Sequence, residues 1–374
     1  MFAFLWINIL TMKQSLLIIL VACCFSVMGC SKTTETPKPQ PTGGGTTTPV
    51  SKRRPASIGI VGDSSNVIKS TNGGMVLMGG GADVDAAFKW MIERSGGGDV
   101  VVLRATGTDA YNPYINGLGS VNSVETLLIN TKELANNDTV AYIIRNAEMV
   151  FIAGGDQSDY MRNWKGTKTE QALNYLLNDK KAPVGGTSAG CAILGGFYYS
   201  GETGGVTSAQ ALANPYDANV TLYNNDFLKA PYLQNVITDQ HYLTRDRDGR
   251  SVVFLGRINK DWKTPAKCIA ADERTAVCID KDGMAKVFGD YSVTRPYSYA
   301  YFISSDAGKQ PEQMEAFKKA IWSNGEKALA VYEIAASVNG GGSFNVANFK
   351  ASEATGGKWY WWWIDNGVLN KKDQ

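Results

Sequence analysis

The stretch APVGGTSAGCAIL, residues 182–194, sets a glycine pair and a serine with small neighbours between two apolar runs. The first run reads as a buried strand that runs out at Val184, and the second as a helix that opens at Ala189. Gly186, Thr187, Ser188, Ala189 and Gly190 between them fit the G-x-S-x-G elbow, in which small residues let a strained strand-to-helix turn close and lift the serine hydroxyl above the sheet. The unpaired N–H groups at the start of the helix would face an oxyanion formed at that point. A glycine-rich turn with an incidental serine has the same five letters, so the reading depends on partners elsewhere in the chain.

The elements around this stretch alternate. GGMVLMGGG (73–81) reads as a strand and DVDAAFKWMIERS (83–95) as a helix with apolar residues at helical spacing. DVVVLRA (99–105) and VETLLIN (124–130) read as strands, DTVAYIIRNA (138–147) as a helix, EMVFIAGG (148–155) as a strand and KTEQALNYLLND (168–179) as a helix. Such a βαβ succession predicts an α/β fold: a mostly parallel sheet with helices on both faces, and function at the C-terminal strand ends. Ser188 falls at such an end, as does Gln157.

A serine hydroxyl becomes a useful nucleophile when an adjacent base removes its proton, and histidine is the usual base. This chain has one histidine. His241 stands in VITDQHYLTRDRDGR (236–250), downstream of the serine as in α/β hydrolytic sites. A third residue, an acid, must orient the imidazole. KCIAADERTAVCID (267–280) offers Asp272 and Glu273 between two short strand-like runs, and spacing does not choose between them.

Four ordered blocks, FIAGGDQSDY (151–160), GGTSAGCAI (185–193), TDQHYLTRDRDGR (238–250) and AADERTAV (270–277), together resemble the cyanophycinase branch of the S51 serine peptidases, relatives of the aspartyl dipeptidases. A fifth, AFKWMIERSGGGDVVVLRATGTDAYN (87–112), extends the similarity over residues 57–305. The resemblance implies a fold like the class I glutamine amidotransferases and flavodoxin. It also implies Ser188 as nucleophile, His241 as base and Glu273 as orienting acid, with substrate contacts from Gln157, Asp239, Gln240, Arg245, Arg247 and Arg250. The implied activity is hydrolysis of β-aspartyl-arginine bonds, as in cyanophycin, or of a related isoaspartyl linkage, without a metal or organic cofactor. An aspartyl dipeptidase and a catalytically idle surface lipoprotein that binds peptide or polymer are the rival readings.

The residues themselves fit those roles. The paired glycines after FIA let backbone approach a ligand closely, so the N–H groups of Gly155 and Ala189 are the candidate oxyanion donors. Gln157 carries both a donor and an acceptor for a peptide or carboxylate group, and equally suits a helix entry. Guanidinium forks suit carboxylates, so Arg245, Arg247 and Arg250 point to an acidic substrate, with Asp239 beside them to read an arginine. Alternation with Asp246 and Asp248 also fits a self-neutralised surface turn.

Composition sets the bounds. A net charge of +2 and a pI near 8.1 give no footprint for nucleic acid, and a lone histidine with no cysteine–histidine cluster weakens any zinc site. MKQSLLIILVACCFSVMGCSK (12–32) has the basic start and apolar run of an export signal and resembles a lipoprotein signal ending at Cys30, so residues 1–30 are expected to direct export and lipid anchoring in a membrane. Residues 31–55, rich in threonine, proline and glycine, read as a flexible tether. The catalytic domain is expected over 56–305 and an extension packed on it over 306–374, and a homodimer is among the assemblies open to it. In the extension PEQMEAFKKAIWSNG (311–325) reads as a helix, ALAVYEI (328–334) as a strand, and GGKWYWWWIDNG (356–367) as a buried edge strand. The stretch 200–227 reads as a polar insertion bordering the cleft. Cys268 and Cys278 are a conceivable pair in an oxidising compartment, while Cys191 beside the elbow packs as a small hydrophobe.

Overall fold

The computed structural model describes residues 54–291 and 298–374, and the anchor and tether expected around Cys30 lie outside them. Five parallel strands form the centre of a nine-stranded sheet, in the spatial order Ser123–Leu128, Asp99–Arg104, Met149–Ile152, Val184–Thr187, Gly74–Met78. Ser57–Gly62 closes one side antiparallel to Ser123–Leu128. On the other side Thr275–Asp280, Met284–Gly289 and Gly341–Asn345 follow, all antiparallel. The central strands are continuous apolar runs because both faces are covered. Val76, Val100 and Val102 pack on one face with Phe88, Met91 and Ile92 of the helix Asp85–Arg94, while Leu77, Val101 and Leu103 pack on the other with Val140, Ile143 and Ile144 of the helix Asp138–Asn146.

A second, eight-stranded sheet was not foreseen. Its order is Val368–Asp373, Lys358–Asp365, Leu329–Ala335, Tyr299–Ser304, Lys267–Ala271, Val236–Gln240, Phe197–Tyr199, Leu222–Asn224, with parallel pairing confined to the Lys267, Val236 and Phe197 strands. One of its faces joins the core of the first sheet through Ile269, Phe302 and Ile334. The other is covered by the helix Asp248–Trp262 through Val252, Phe254 and Ile258. The two sheets are joined by the tight turn Asp272–Arg274, which leads from Lys267–Ala271 in one to Thr275–Asp280 in the other.

Three expectations change. Residues 311–325 form turns rather than a helix. Gln313 bridges to Ile321 and Trp322 to Ile364, and Phe317, which a helical stripe would bury, is 91% exposed. The tryptophan-rich segment is not an edge: Lys358–Asp365 lies between two strands. Trp362 is buried in it, and Trp361 and Trp363 are half-buried under Lys309 and Lys372. Cys191, Cys268 and Cys278 are all free, each buried in a different hydrophobic cluster, so the conceivable Cys268–Cys278 pair does not form.

Candidate active site

Ser188 follows the strand Val184–Thr187 and opens a helix of a single turn, Ala189–Ala192, shorter than the sequence suggested, so the helix adds little dipole at the hydroxyl. Its backbone lies at φ 52°, ψ −116°, a conformation non-glycine residues rarely adopt. That is the strain an elbow stores. His241 follows Val236–Gln240 of the second sheet, also at positive φ, 49°. Glu273 sits in the turn between the sheets. Three segments far apart in sequence therefore converge where the two sheets meet.

The side chains join in a line. Ser188 Oγ lies 2.7 Å from His241 Nε2, and His241 Nδ1 lies 2.6 Å from Glu273 Oε1. A neutral imidazole with its proton on Nδ1 donates to Glu273 and accepts from the serine hydroxyl through Nε2. Burial pulls the His241 pKa below its ordinary 6.5; the hydrogen bond to Glu273 pushes upward, and the positive charges of Arg245 and Arg247 add to the lowering. The imidazole is thus held neutral and ready to take a proton at neutral pH.

The other acid offered by the sequence does something else. Asp272 is fully buried and accepts hydrogen bonds from the backbone N–H groups of Leu243 and Tyr299, at 2.6 and 3.3 Å, without touching the imidazole.

What aligns the three side chains is a segment the sequence reading treated only as the end of a strand. The successive carbonyls of Met78, Gly79 and Gly80 accept from the backbone N–H groups of Ser188 (3.1 Å), His241 (2.8 Å) and Arg274 (2.9 Å), the last being the neighbour of Glu273. Gly80 has φ +97°, and a Cβ placed on it would lie 2.6 Å from His241 Nε2. The imidazole therefore lies flat on bare backbone, which only glycine permits. Three consecutive glycines after a buried strand were the available signal.

Of the two candidate oxyanion donors, Ala189 follows the serine directly and Gly155 follows a glycine that lies beside it. A Cβ on Gly154 would come within 3.4 Å of Ser188 Cβ. The Tyr160 hydroxyl donates to the carbonyls of Ala153 and Gly154, at 2.8 and 3.2 Å. Since N–H and C=O point oppositely across a trans peptide, this fixes the Gly155 N–H away from Tyr160.

The substrate candidates separate into kinds. Asp239 and Arg250 bind each other in a fork, at 2.5 and 3.0 Å, and both are almost fully buried (side chains 3% and 4% exposed), so they pair with each other and do not line open space. Arg247 is different. Its guanidinium donates to the Gln240 carbonyl at 2.8 Å and stands 3.9 Å from the already engaged Asp239, leaving a half-buried cation without a carboxylate of its own. Burial and the neighbouring Arg250 lower its pKa to about 10, so it remains charged at neutral pH. Arg245 is exposed and lies 3.9 Å from Glu273. The side-chain oxygen of Gln240 is buried without a partner. Gln157 starts the helix Gln157–Trp164, with Asp156 as its cap, and its amide nitrogen would be 2.9 Å from a Cβ on Gly201, so the 200–227 segment abuts this residue.

The sequence profile of peptidase family S51 matches residues 75–287, which hold the serine, the histidine and the glutamate. The chain belongs to peptidase family S51. It is a serine peptidase by that membership. Among similar proteins, a cyanophycinase of Synechococcus elongatus is 26% identical over 270 residues, covering 68% of this chain and 78% of the relative. A cyanophycinase of Geminocystis herdmanii is 22% identical over 230 residues, covering 59% and 79%. Of solved structures, a peptidase from an acI-B1 actinobacterium aligns at a TM-score of 0.42 with 18% identity, covering 59% of this chain and 89% of that one.

Proposed function

We propose that this peptidase hydrolyses an amide bond in aspartate- and arginine-bearing peptides of the cyanophycin type through Ser188, His241 and Glu273. The observation that carries the reading is the unbroken line from Ser188 Oγ through both imidazole nitrogens to Glu273, with Arg247 beside it, only 3.9 Å from a carboxylate already engaged by Arg250. As His241 Nε2 takes its proton, Ser188 Oγ attacks the carbonyl. The N–H groups of Ala189 and Gly155 serve the oxyanion, the imidazolium returns the proton to the leaving amine, and water releases the acyl group by the reverse sequence. Glu273 holds the imidazole in the required tautomer. Arg247 selects a substrate carboxylate, because a half-buried cation gains most from an anion that shares its site. The similarity to cyanophycinases supports the substrate class.

Ser188→Ala should lower turnover by roughly 10³- to 10⁶-fold with the fold intact. Cleavage by that variant at the parental rate sinks the mechanism. Mass spectrometry of products from cyanophycin and from α- and β-aspartyl peptides reads which bond is cut. Cleavage confined to short α-aspartyl peptides would replace this substrate with that of a dipeptidase. The N-terminal signal pattern supports an exported, lipid-anchored location, and a Cys30→Ala chain still recovered with membranes would refute the anchor.

A further inference from the structure

The turn that presents Glu273 also holds a carboxylate with no part in the proton relay. Asp272 is completely buried, and both its oxygens are used on backbone. One accepts from Leu243 N–H at 2.6 Å and the other from Tyr299 N–H at 3.3 Å, while its own N–H donates to the Tyr299 carbonyl at 3.0 Å. Leu243 lies two residues past His241, at the start of the short 3-10 turn Leu243–Arg245 that leads to Arg247.

This bond matters because His241 is strained. At φ 49° it occupies the left-handed region, which a residue with a Cβ adopts at a cost and holds only when the surroundings enforce it. Enforcement comes from both sides. Before the ring, His241 N–H bonds to the Gly79 carbonyl; after it, Leu243 N–H bonds to Asp272, with the longer Tyr242 N–H to Ala271 carbonyl contact (3.3 Å) between them. The N-terminal anchor belongs to the first sheet and the C-terminal anchor to the turn that carries Glu273.

We infer that Asp272 is a positioning residue of the reaction: its buried carboxylate ties the backbone past His241 to the turn bearing Glu273 and so keeps the imidazole aligned with both partners. The inference rests on the relay reading given above. Groups facing this carboxylate are Glu273 beside it, Glu333 on the strand Leu329–Ala335 and the Tyr301 hydroxyl on Tyr299–Ser304. Burial raises its pKa from 3.8 to about 7, the two N–H bonds oppose the rise, and repulsion from Glu333 and Glu273 adds to it.

The sign of the pH effect separates positioning from stability. As pH falls through about 7 the folded protein binds a proton at Asp272 that the unfolded chain does not bind until near 3.8, so this group makes the fold more stable on acidification. Protonation also weakens its acceptor strength toward Leu243, so activity falls over the same range. A residue with a merely structural role would not produce opposite trends.

The test measures kcat, KM and melting temperature against pH for the full chain and for Asp272→Ala and Asp272→Asn. Loss of the tie should lower kcat about 100-fold in Asp272→Ala with KM changed less than about 3-fold, because the ring is displaced while Arg247 remains. Asp272→Asn keeps an oxygen for Leu243 N–H but sets an NH2 group against Tyr299 N–H, so its kcat should lie above that of Asp272→Ala and near that of the parent with Asp272 protonated, while the acid limb near pH 7 disappears and only the lower limb of His241 remains. An Asp272→Ala protein within about 3-fold of the parent kcat, or an Asp272→Asn protein that retains the limb near pH 7, overturns the inference. If the alanine variant does not fold, the asparagine pH profile decides alone. Activity surviving Ser188→Ala would instead bring down the relay reading itself.

Discussion

Replacing Gly80 by alanine tests the site at a residue that carries no functional group. The added Cβ would lie 2.6 Å from His241 Nε2 and 3.0 Å from Nδ1, whereas heavy atoms in contact rest near 3.5 Å. The ring must retreat by about 1 Å or Gly80 must move. Gly80 has little room to do so, since its carbonyl and that of Gly79 are engaged by Arg274 and His241. A retreat of that size stretches the 2.7 Å bond to Ser188 Oγ out of useful range and misaligns the 2.6 Å bond to Glu273. Misplacement by 1 Å typically costs about 10²-fold, so kcat should fall by about that factor. A backbone at φ +97° adds about 1–2 kcal/mol of strain for alanine, and the melting temperature should drop by a few degrees. The assay is kcat on folded protein below the melting range, with the single imidazole followed by nuclear magnetic resonance. Gly117→Ala is the control, because nothing lies within 4 Å of a Cβ there. A Gly80→Ala enzyme with kcat within about threefold of the parent would refute the claim that bare backbone at this position sets the imidazole.

Arg247→Gln should raise KM or lower kcat/KM at least about tenfold for substrates with a free carboxylate, as a charge-assisted hydrogen bond is worth about 1.5–3 kcal/mol, and leave uncharged amides nearly unchanged; equal losses on both, measured side by side, would make Arg247 a loop brace. Asp239→Ala strands the Arg250 cation in a buried site and should cost about 3–5 kcal/mol of stability in denaturant titrations, whereas a loss of arginine-substrate selectivity at unchanged stability would return Asp239 to the role its sequence context first suggested.

The parts of the molecule legible in the sequence are those written in local periodicity. The strands and helices expected between residues 73 and 194 are present, except that the strand before the elbow begins at Val184, where it was expected to end, and the helix after it is a single turn. Continuous apolar runs and 3.6-residue spacing are properties of a single segment, whereas the glycine-rich stretch 185–187 pairs as strand only through its neighbours. The lone histidine and the elbow serine were likewise visible one at a time. The choice between Asp272 and Glu273 was legible only through the family resemblance and not in the local residues, because it depends on which way two adjacent side chains leave a tight turn between two sheets: one turns inward to backbone N–H groups and the other faces the imidazole. The second sheet was missed for a related reason. Its strands are gathered from residues 197 to 373, and the apolar letters of 311–325 match a helix unless one knows that Trp322 pairs with Ile364.

The arginines show how far composition can mislead within one short stretch. R-D-R-D-G-R alternates charge like a solvated turn, yet the helix Asp248–Trp262 begins inside it and rotates each successive residue by about 100°. Arg250, two residues into that helix, is swung toward the interior, where its guanidinium lies 5.1 Å from the Tyr199 ring and 5.6 Å from that of Phe254, one turn on. A cation carried there must be paired, and Asp239 from the neighbouring strand meets it in a fork. Arg247, just before the helix, is not carried inward and remains half-buried beside the histidine. Asp239 serves two guanidinium groups, Arg250 in a fork and Arg247 only at 3.9 Å, and on the proposed function this leaves Arg247 the more available of the two to an anionic substrate. On this reading the buried ion pair contributes to specificity at one remove: it consumes the acid that would otherwise neutralise the residue that selects the substrate.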